Sequence, residues 1–465
     1  MNIPIQSIKK KKSFKMPHSY VIIFMILILA SLMTYFIPAG EYGRYKNELG
    51  KMVVDGSVFN WIKQSPVPIW DIPLYIVKSL NKQSEIIFAL IVIGGSLEVI
   101  ISTEMFHAFC NKLSKASAGK EKLFIPAFVL LFAIIGITQS TNKFIGFAPL
   151  GVMLAITLGY DAIVGVAIVL LGIGVGFSTG ILAPTTAVAQ EIAGLPAYSG
   201  MGLRIVSFIV FYLITTAYIL RYGEKIRKDP TKSVVYGCEG LKEFNVKDVD
   251  IEIQKKHYAV LVVVLGAFSV LMYGCIKFGW GLSENAVLFI WMAILGGFAY
   301  GYSPSEIAKN FVKGSKAMVS AALVVGLGAT VAAILNEGKV LDTVVKDLAL
   351  LFNIFPNILK APIMFIMNII INFFVTSGNG QAAIVMPVMI PLADLAGISR
   401  QSTVLAFKFG DGFSNYILPH ASALMGFLGA TGISYDKWMK FMAKLFAWWI
   451  LTGSIILVIA TLINY

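Results

Sequence analysis

Four short polar stretches interrupt otherwise apolar sequence: Gln139-Ser140-Thr141-Asn142, Gly174-Val175-Gly176-Phe177-Ser178-Thr179 leading to Pro184, Thr376-Ser377-Gly378-Asn379, and Gly410-Asp411-Gly412-Phe413-Ser414-Asn415 leading to Pro419. Their hydroxyls and amides donate and accept hydrogen bonds. Glycine lets a backbone unwind or approach closely, and proline keeps a helix from closing again. Such groups suit reversible binding of a polar solute or ion. A helix broken in apolar surroundings turns free amides and free carbonyls into the gap, with partial charges of about half an electron. The expectation is that Gly174, Gly176, Pro184, Gly410, Gly412 and Pro419 break helices, and that Ser140, Thr141, Asn142, Lys143, Ser178, Thr179, Ser377, Asn379, Asp411, Ser414 and Asn415 contact the substrate.

The four stretches form two pairs. Gly, Gly, Phe, Ser, Ile and Leu coincide between Gly174-Val-Gly-Phe-Ser-Thr-Gly-Ile-Leu-Ala-Pro184 and Gly410-Asp-Gly-Phe-Ser-Asn-Tyr-Ile-Leu-Pro419 at one constant offset. The tetrads ending at Asn142 and Asn379 precede them in the same order, each closing an apolar run and leading into a proline-bearing segment. This predicts an internal structural repeat. Two facing copies of a broken helix are an arrangement of secondary transporters.

Charge separates the copies. Asp411 stands opposite Val175, and Lys143 stands opposite Gly380. An ionised group at bilayer depth costs about 3 kcal/mol on insertion scales, so each needs a partner or a purpose. Asp411 reads as a counter-ion for a substrate ammonium or a coupling cation, with an i, i+3 pair to Lys408 as the structural alternative. Lys143 reads as a partner for a substrate carboxylate, or as a lysine snorkelling to water. Glu98 is a buried ionisable candidate, Arg204 reads as a membrane-edge anchor, and His420 as a site or structural histidine.

The elements carrying these groups are membrane spans. Of 465 residues, 57% are hydrophobic and 14% charged, against about a quarter charged in soluble proteins. Eleven apolar runs appear, at about 19–37, 85–103, 122–138, 161–177, 201–221, 257–278, 284–301, 317–336, 360–376, 402–418 and 441–463. The shorter pieces 144–160 and 382–395 read as re-entrant, since irregular backbone at that depth is tolerated only inside protein or against a wet cavity. The organisation expected is a cytoplasmic basic N-terminus (1–17), a first membrane half (18–221, hairpin about 139–160), a linker (222–256) and a second half (257–465, hairpin about 377–397). The segments 104–120 and 338–353 read as surface-lying amphipathic helices. Eleven spans from a cytoplasmic start place the linker outside, against its lysines and arginines. One span is therefore miscounted, and the expected culprit is 61–80, with Pro66, Pro68 and Pro73.

The net charge of +13 reflects basic loops beside spans, and nucleic acid is not a partner. The three cysteines and four histidines form no disulfide framework or zinc pattern. No HExxH, no GxSxG with a helical histidine partner and no plausible pair of membrane aspartates is present, which argues against an intramembrane enzyme, and no P-loop is present, which argues against an ATP-driven pump. An ion channel is the remaining competitor, but two non-identical internal copies favour a carrier.

The QSTN and TSGN tetrads, GxGFSxxIL-P in both halves, IPAGEY at 37–42 and FGDGFSNYILP near the C-terminus resemble the YfcC family of bacterial carriers. That family is grouped with the anaerobic dicarboxylate carriers within the ion transporter superfamily. The resemblance implies an all-α polytopic inner-membrane protein of about 10–12 transmembrane helices in two structural repeats. It further implies two re-entrant hairpins, elevator motion, a homodimer, and no cofactor beyond coupling by sodium or proton. Its members are named as arginine/ornithine-type antiporters or as dicarboxylate carriers. The reading is a secondary transporter of a small charged organic solute, a basic amino acid antiporter first and a dicarboxylate or sodium- or proton-coupled organic acid carrier second.

Overall fold

The computed structural model describes residues 19–46, 52–105, 108–109, 121–237, 253–278, 280–352 and 354–465. The basic N-terminus, most of 104–120 and residues 238–252 of the linker lie outside them. Each of the eleven apolar runs coincides with a helix. Among the described residues, seven helices are long and apolar enough to cross a membrane.

The chain enters through α1 (Ser19–Phe36), followed by a ribbon of β1 (Gly40–Lys46) and β2 (Met52–Trp61), paired antiparallel with an irregularity at Tyr42/Gly43. Sequence reading anticipated no strands. In the 61–80 segment Pro66 and Pro68 lie in residues 62–68, which carry no regular structure, while Pro73 sits in the first turn of α2 (Ile72–Lys82), which runs into α3 (Ser84–Ile101) through a kink at Gln83. Both lie end to end along the 34-residue helix α11 (Pro304–Glu337). The close approaches fix an antiparallel register: Gly326 against Leu80, Gly314 against Gly94 and Glu98.

The repeat is visible in packing. In the first half, α4 (Phe124–Gly136) leads through a tip at residues 137–140 into a 3-10 turn (Thr141–Phe147) and α5 (Ala148–Thr157); α6 (Ala162–Thr179), α7 (Pro184–Ile192) and α8 (Met201–Lys228) follow. After α9 (Lys255–Lys277), α10 (Leu282–Tyr300), α11 and the amphipathic α12 (Leu341–Phe352), the second half repeats the order. It runs α13 (Asn357–Phe374), a tip at 375–377, α14 (Gly378–Leu395), α15 (Arg400–Ser414), α16 (Ser422–Thr431) and α17 (Tyr435–Leu462). Helix α6 packs on α4, α5 and α8, as α15 packs on α13, α14 and α17. The short helices cross over: α7 lies on α14, and α16 lies on the 3-10 turn and α5. Segment 139–160 thus holds the end of the tip, the 3-10 turn and α5, and the run 122–138 supplies α4, which leads into it.

Helices α6 and α15 form the centre, and almost every residue of both is buried. A helix buried on all sides reads as apolar all round, as α6 does with AIVGVAIVLL. Here the glycine expectation is corrected. Gly174, Gly176, Gly410 and Gly412 lie inside intact α6 and α15, and the breaks lie beyond them, at 180–183 and 415–421. Their missing Cβ serves crossings: one on Gly412 would stand 2.5 Å from Ser178 Cα and Oγ, one on Gly174 would stand 2.7 Å from the Tyr416 ring, and one on Gly176 would strike the Ala133 carbonyl. The break itself uses Gly180 at φ 68°, in the left-handed region that favours glycine. Pro184 opens α7, where its missing N–H costs nothing, and Pro419 lies in the open segment between α15 and α16.

Candidate functional site

The two tips and the two breaks converge on a cavity of about 420 Å³. The first tip contributes Ser140, Thr141 and Asn142; the second contributes Thr376, Ser377, Gly378 and Asn379. Asp411 comes from α15 and Asn415 from its cap, Phe177 from the end of α6, Thr185 from the start of α7, Ser422 from the start of α16, and Gln83 from the kink between α2 and α3. Two helical arms begin at this cavity. Ser377 caps α14, its side chain accepting from the Gly380 amide at 3.4 Å, and the 3-10 turn begins at Thr141 behind an extended Ser140. The first amides of each arm lack an acceptor within their own helix, so both tips present positive dipole ends.

Asp411 is the single ionisable side chain among the described residues lining the cavity. One carboxylate oxygen, Oδ2, accepts from Lys408 Nζ at 2.7 Å, with both side chains buried. The other, Oδ1, is buried and makes no hydrogen bond within the protein. Gly378 is required beside it, because a Cβ there would stand 2.9 Å from Oδ1 and 2.9 Å from Thr185 Cγ2.

Other sequence candidates lie behind this wall. Lys143 turns away, its ammonium donating to the Trp280 carbonyl at 2.5 Å and to Gln139 at 3.0 Å. Thr179 donates back to the carbonyls of Val175 and Gly176, and Ser178 is buried at the Gly412 crossing. Ser414 donates to the Gly410 carbonyl at 2.5 Å and accepts from Asn372 at 2.7 Å. His420 bonds the Phe373 carbonyl at 2.8 Å. Glu98 pairs with Lys313 at 2.6 Å and faces a separate, mostly apolar cavity. Arg204, in the first turn of α8, is fully buried within the protein, donating to the Ser199 carbonyl and to Gln401.

Sequence reading missed Gln83, Thr185, Asn372 and Tyr416. Asn372 donates to Ser414, to Asn415 at 3.0 Å and to the Asp411 carbonyl at 3.2 Å, holding the end of α15 in place. Its signal was present, since Asn368 and Asn372 put two amides on one face of the apolar run MNIIINFF. Tyr416 crosses from the second break to the first tip, where its hydroxyl meets Thr141 Oγ1 at 3.1 Å. Gln83 had none, because only folding brings the kink to the cavity.

The curated basic amino acid antiporter candidate YfcC of Escherichia coli is 30% identical, with 98% of each chain covered. A Haemophilus influenzae protein is 26% identical over 97% of this chain and 98% of its own length. The solved structure of the Alcanivorax borkumensis YdaH transporter is similar at 16% identity and a TM-score of 0.41, covering 97% of this chain and 99% of that one. The family model described as the C4-dicarboxylate anaerobic carrier, DcuC, matches residues 16–462. This chain, with its paired polar tips around a central cavity, therefore belongs to the DcuC family and is a multi-pass transporter of the bacterial inner membrane.

Proposed function

We propose that the cavity holds an amino acid and that the protein exchanges it across the membrane, the basic amino acids for which the Escherichia coli relative is named being the first candidates. The observation that carries this reading is the unpartnered Asp411 Oδ1 in a cavity lined by no other ionisable side chain among the described residues. It accepts a hydrogen bond from a substrate ammonium, and the substrate carboxylate faces the amide ends of the two arms, where negative charge is favoured. Asn142, Asn379 and Asn415 line the space between and donate or accept as the solute requires.

The two arm pairs act as re-entrant hairpins in this reading. Counting α4 and α5 as one hairpin leaves four crossings before the linker: α1, α2 with α3, α6 with α7, and α8. That returns 222–256 to the cytoplasmic side, where its basic residues belong. The hairpin half bundles then move as a body against α1–α3 and α11, in an elevator stroke.

A second reading, a C4-dicarboxylate, is favoured by the family description and by two amide ends facing one cavity. It leaves Asp411 facing an anion. Exchange in proteoliposomes separates the two: vesicles loaded with ornithine are offered labelled arginine, and vesicles loaded with succinate are offered labelled succinate. Arginine exchange is expected. Succinate exchange without arginine exchange defeats the amino acid reading.

A further inference from the structure

We infer that Lys408 is this carrier's own tethered cation: its ammonium occupies the cation seat formed by Asp411, the Phe177 ring and the end of α6, so that seat takes no inorganic coupling ion. The inference rests on the cavity being the transport site, and its test does not depend on which solute is carried.

Three features of an intramembrane cation site meet here. A carboxylate oxygen lies 2.7 Å from Nζ. An aromatic face lies 3.5 Å from it, measured to the Phe177 ring centroid, a favourable position for a cation removed from water. The α6 helix ends beside the lysine's stem, and free carbonyls at a half-helix end are the part of a broken helix that holds sodium in carriers. The backbone is shaped for this stem: Gly180 has no Cβ, and one built there would stand 2.5 Å from Lys408 Cγ and 3.3 Å from Cδ. A lysine that served only to neutralise a stray carboxylate would need no clearance through the break of a neighbouring helix.

The repeat supplies an internal comparison. At the offset that aligns Gly410 with Gly174, Lys408 corresponds to Gly172 and Asp411 to Val175. The first half therefore has neither the carboxylate nor the ammonium, and the Tyr416 hydroxyl lies over Gly174 instead. The charge and its counter-charge occur together in one half and are both missing from the other. The pair is a single device, present where Asp411 lines the cavity and keeps a buried, unpartnered Oδ1. A mobile sodium ion would leave the site when the ion gradient falls. A tethered ammonium stays, which suits a carrier that exchanges one solute for another.

The test is thermal unfolding of the purified protein in sodium chloride and in choline chloride at matched ionic strength, since a ligand that binds only the folded state raises Tm with its concentration. Wild-type Tm is expected to be the same in both salts. Removing the ammonium in Lys408→Ala vacates the seat, and Tm is then expected to rise with the logarithm of sodium concentration; Lys408→Ala/Asp411→Asn is expected to lose that response. Sodium-specific stabilisation of the wild type overturns the inference, as does a Lys408→Ala protein that ignores sodium. Should Lys408→Ala not be recoverable folded, Lys408→Gln takes its place, and the wild-type comparison stands by itself.

Discussion

At the scale of single residues, the proposed site leaves two buried hydrogen-bonding atoms, Asp411 Oδ1 and Thr185 Oγ1, without protein partners. Burying a polar group unmatched costs about 1–3 kcal/mol, so atoms such as Asp411 Oδ1 are expensive unless a solute satisfies them. Asp411→Asn should keep the fold while weakening exchange by about tenfold or more, the equivalent of roughly 1.4 kcal/mol; a mutant that transports at the wild-type rate removes Asp411 from the site. Asn142→Ala and Asn379→Ala should each do the same, read as loss of uptake with normal membrane yield. Space can be tested separately from charge. Gly378→Ala places a methyl 2.9 Å from Asp411 Oδ1 and should close the site, whereas Gly202→Ala on α8, with nothing within 4 Å of its added carbon, should leave transport intact.

At the scale of elements, two contacts decide the architecture. The first is the crossing of α6 and α15, where Gly412 lies against Ser178. A larger residue there forces two buried helices apart, so Gly412→Val should cost about 1–3 kcal/mol, measured as a lower Tm. The second is the seat of the β-ribbon on α12 and on the turn before it. Asp342 accepts from the Tyr42 amide and from Arg44, both at 3.0 Å, while Lys339 pairs with Glu41 at 2.6 Å. The hydrogen bond from Lys339 holds the Glu41 carboxyl below its ordinary range. Because the docked state depresses this group, its contribution is present above the ordinary carboxylate pKa and fades as pH falls through the lowered value. The protection of ribbon amides, taken relative to their intrinsic exchange rate at each pH, should therefore fall on acidification, and Asp342→Ala should lower it at every pH. The ribbon also touches α14: Gly56 lies against the Pro387 carbonyl, which loses its usual helical donor because residue 391 is proline.

For the whole molecule, the direction of α1 fixes the rest. Tyr20 bonds the Ser320 carbonyl and Thr34 lies by Gly338, so α1 and α11 run the same way, with α2 and α3 opposed. On the proposed count of nine crossings and two hairpins, the ribbon is expected outside and the linker inside. Single cysteines at Ser57 and Thr231, in a background with Cys110, Cys238 and Cys275 replaced by serine, should react with an impermeant maleimide from opposite sides of the membrane. Labelling from the same side would overturn this arrangement. Asp161, accepting from Tyr222 and Ser233 at 2.6 Å each, ties the start of α6 to the linker end of α8, as this sidedness requires.

The sequence by itself determined the class, the positions of the helices and the four polar stretches, because apolar run length and local breaker residues act within a few neighbours along the chain. The pairing of Asn142 with Asn379 and of α6 with α15 was legible as a repeat, since duplication leaves the same residues at one offset. Tertiary structure decided what lies together. It placed Gln83 and Thr185 beside the tips, turned Lys143 toward Trp280, and gave the glycines to helix crossings in place of breaks. A glycine in sequence carries no mark of whether its missing Cβ serves φ or a neighbour. The span count is ambiguous for a related reason: the 13-residue α4 and a full crossing share the same apolar composition, and in the proposed reading only the partner each packs against tells them apart.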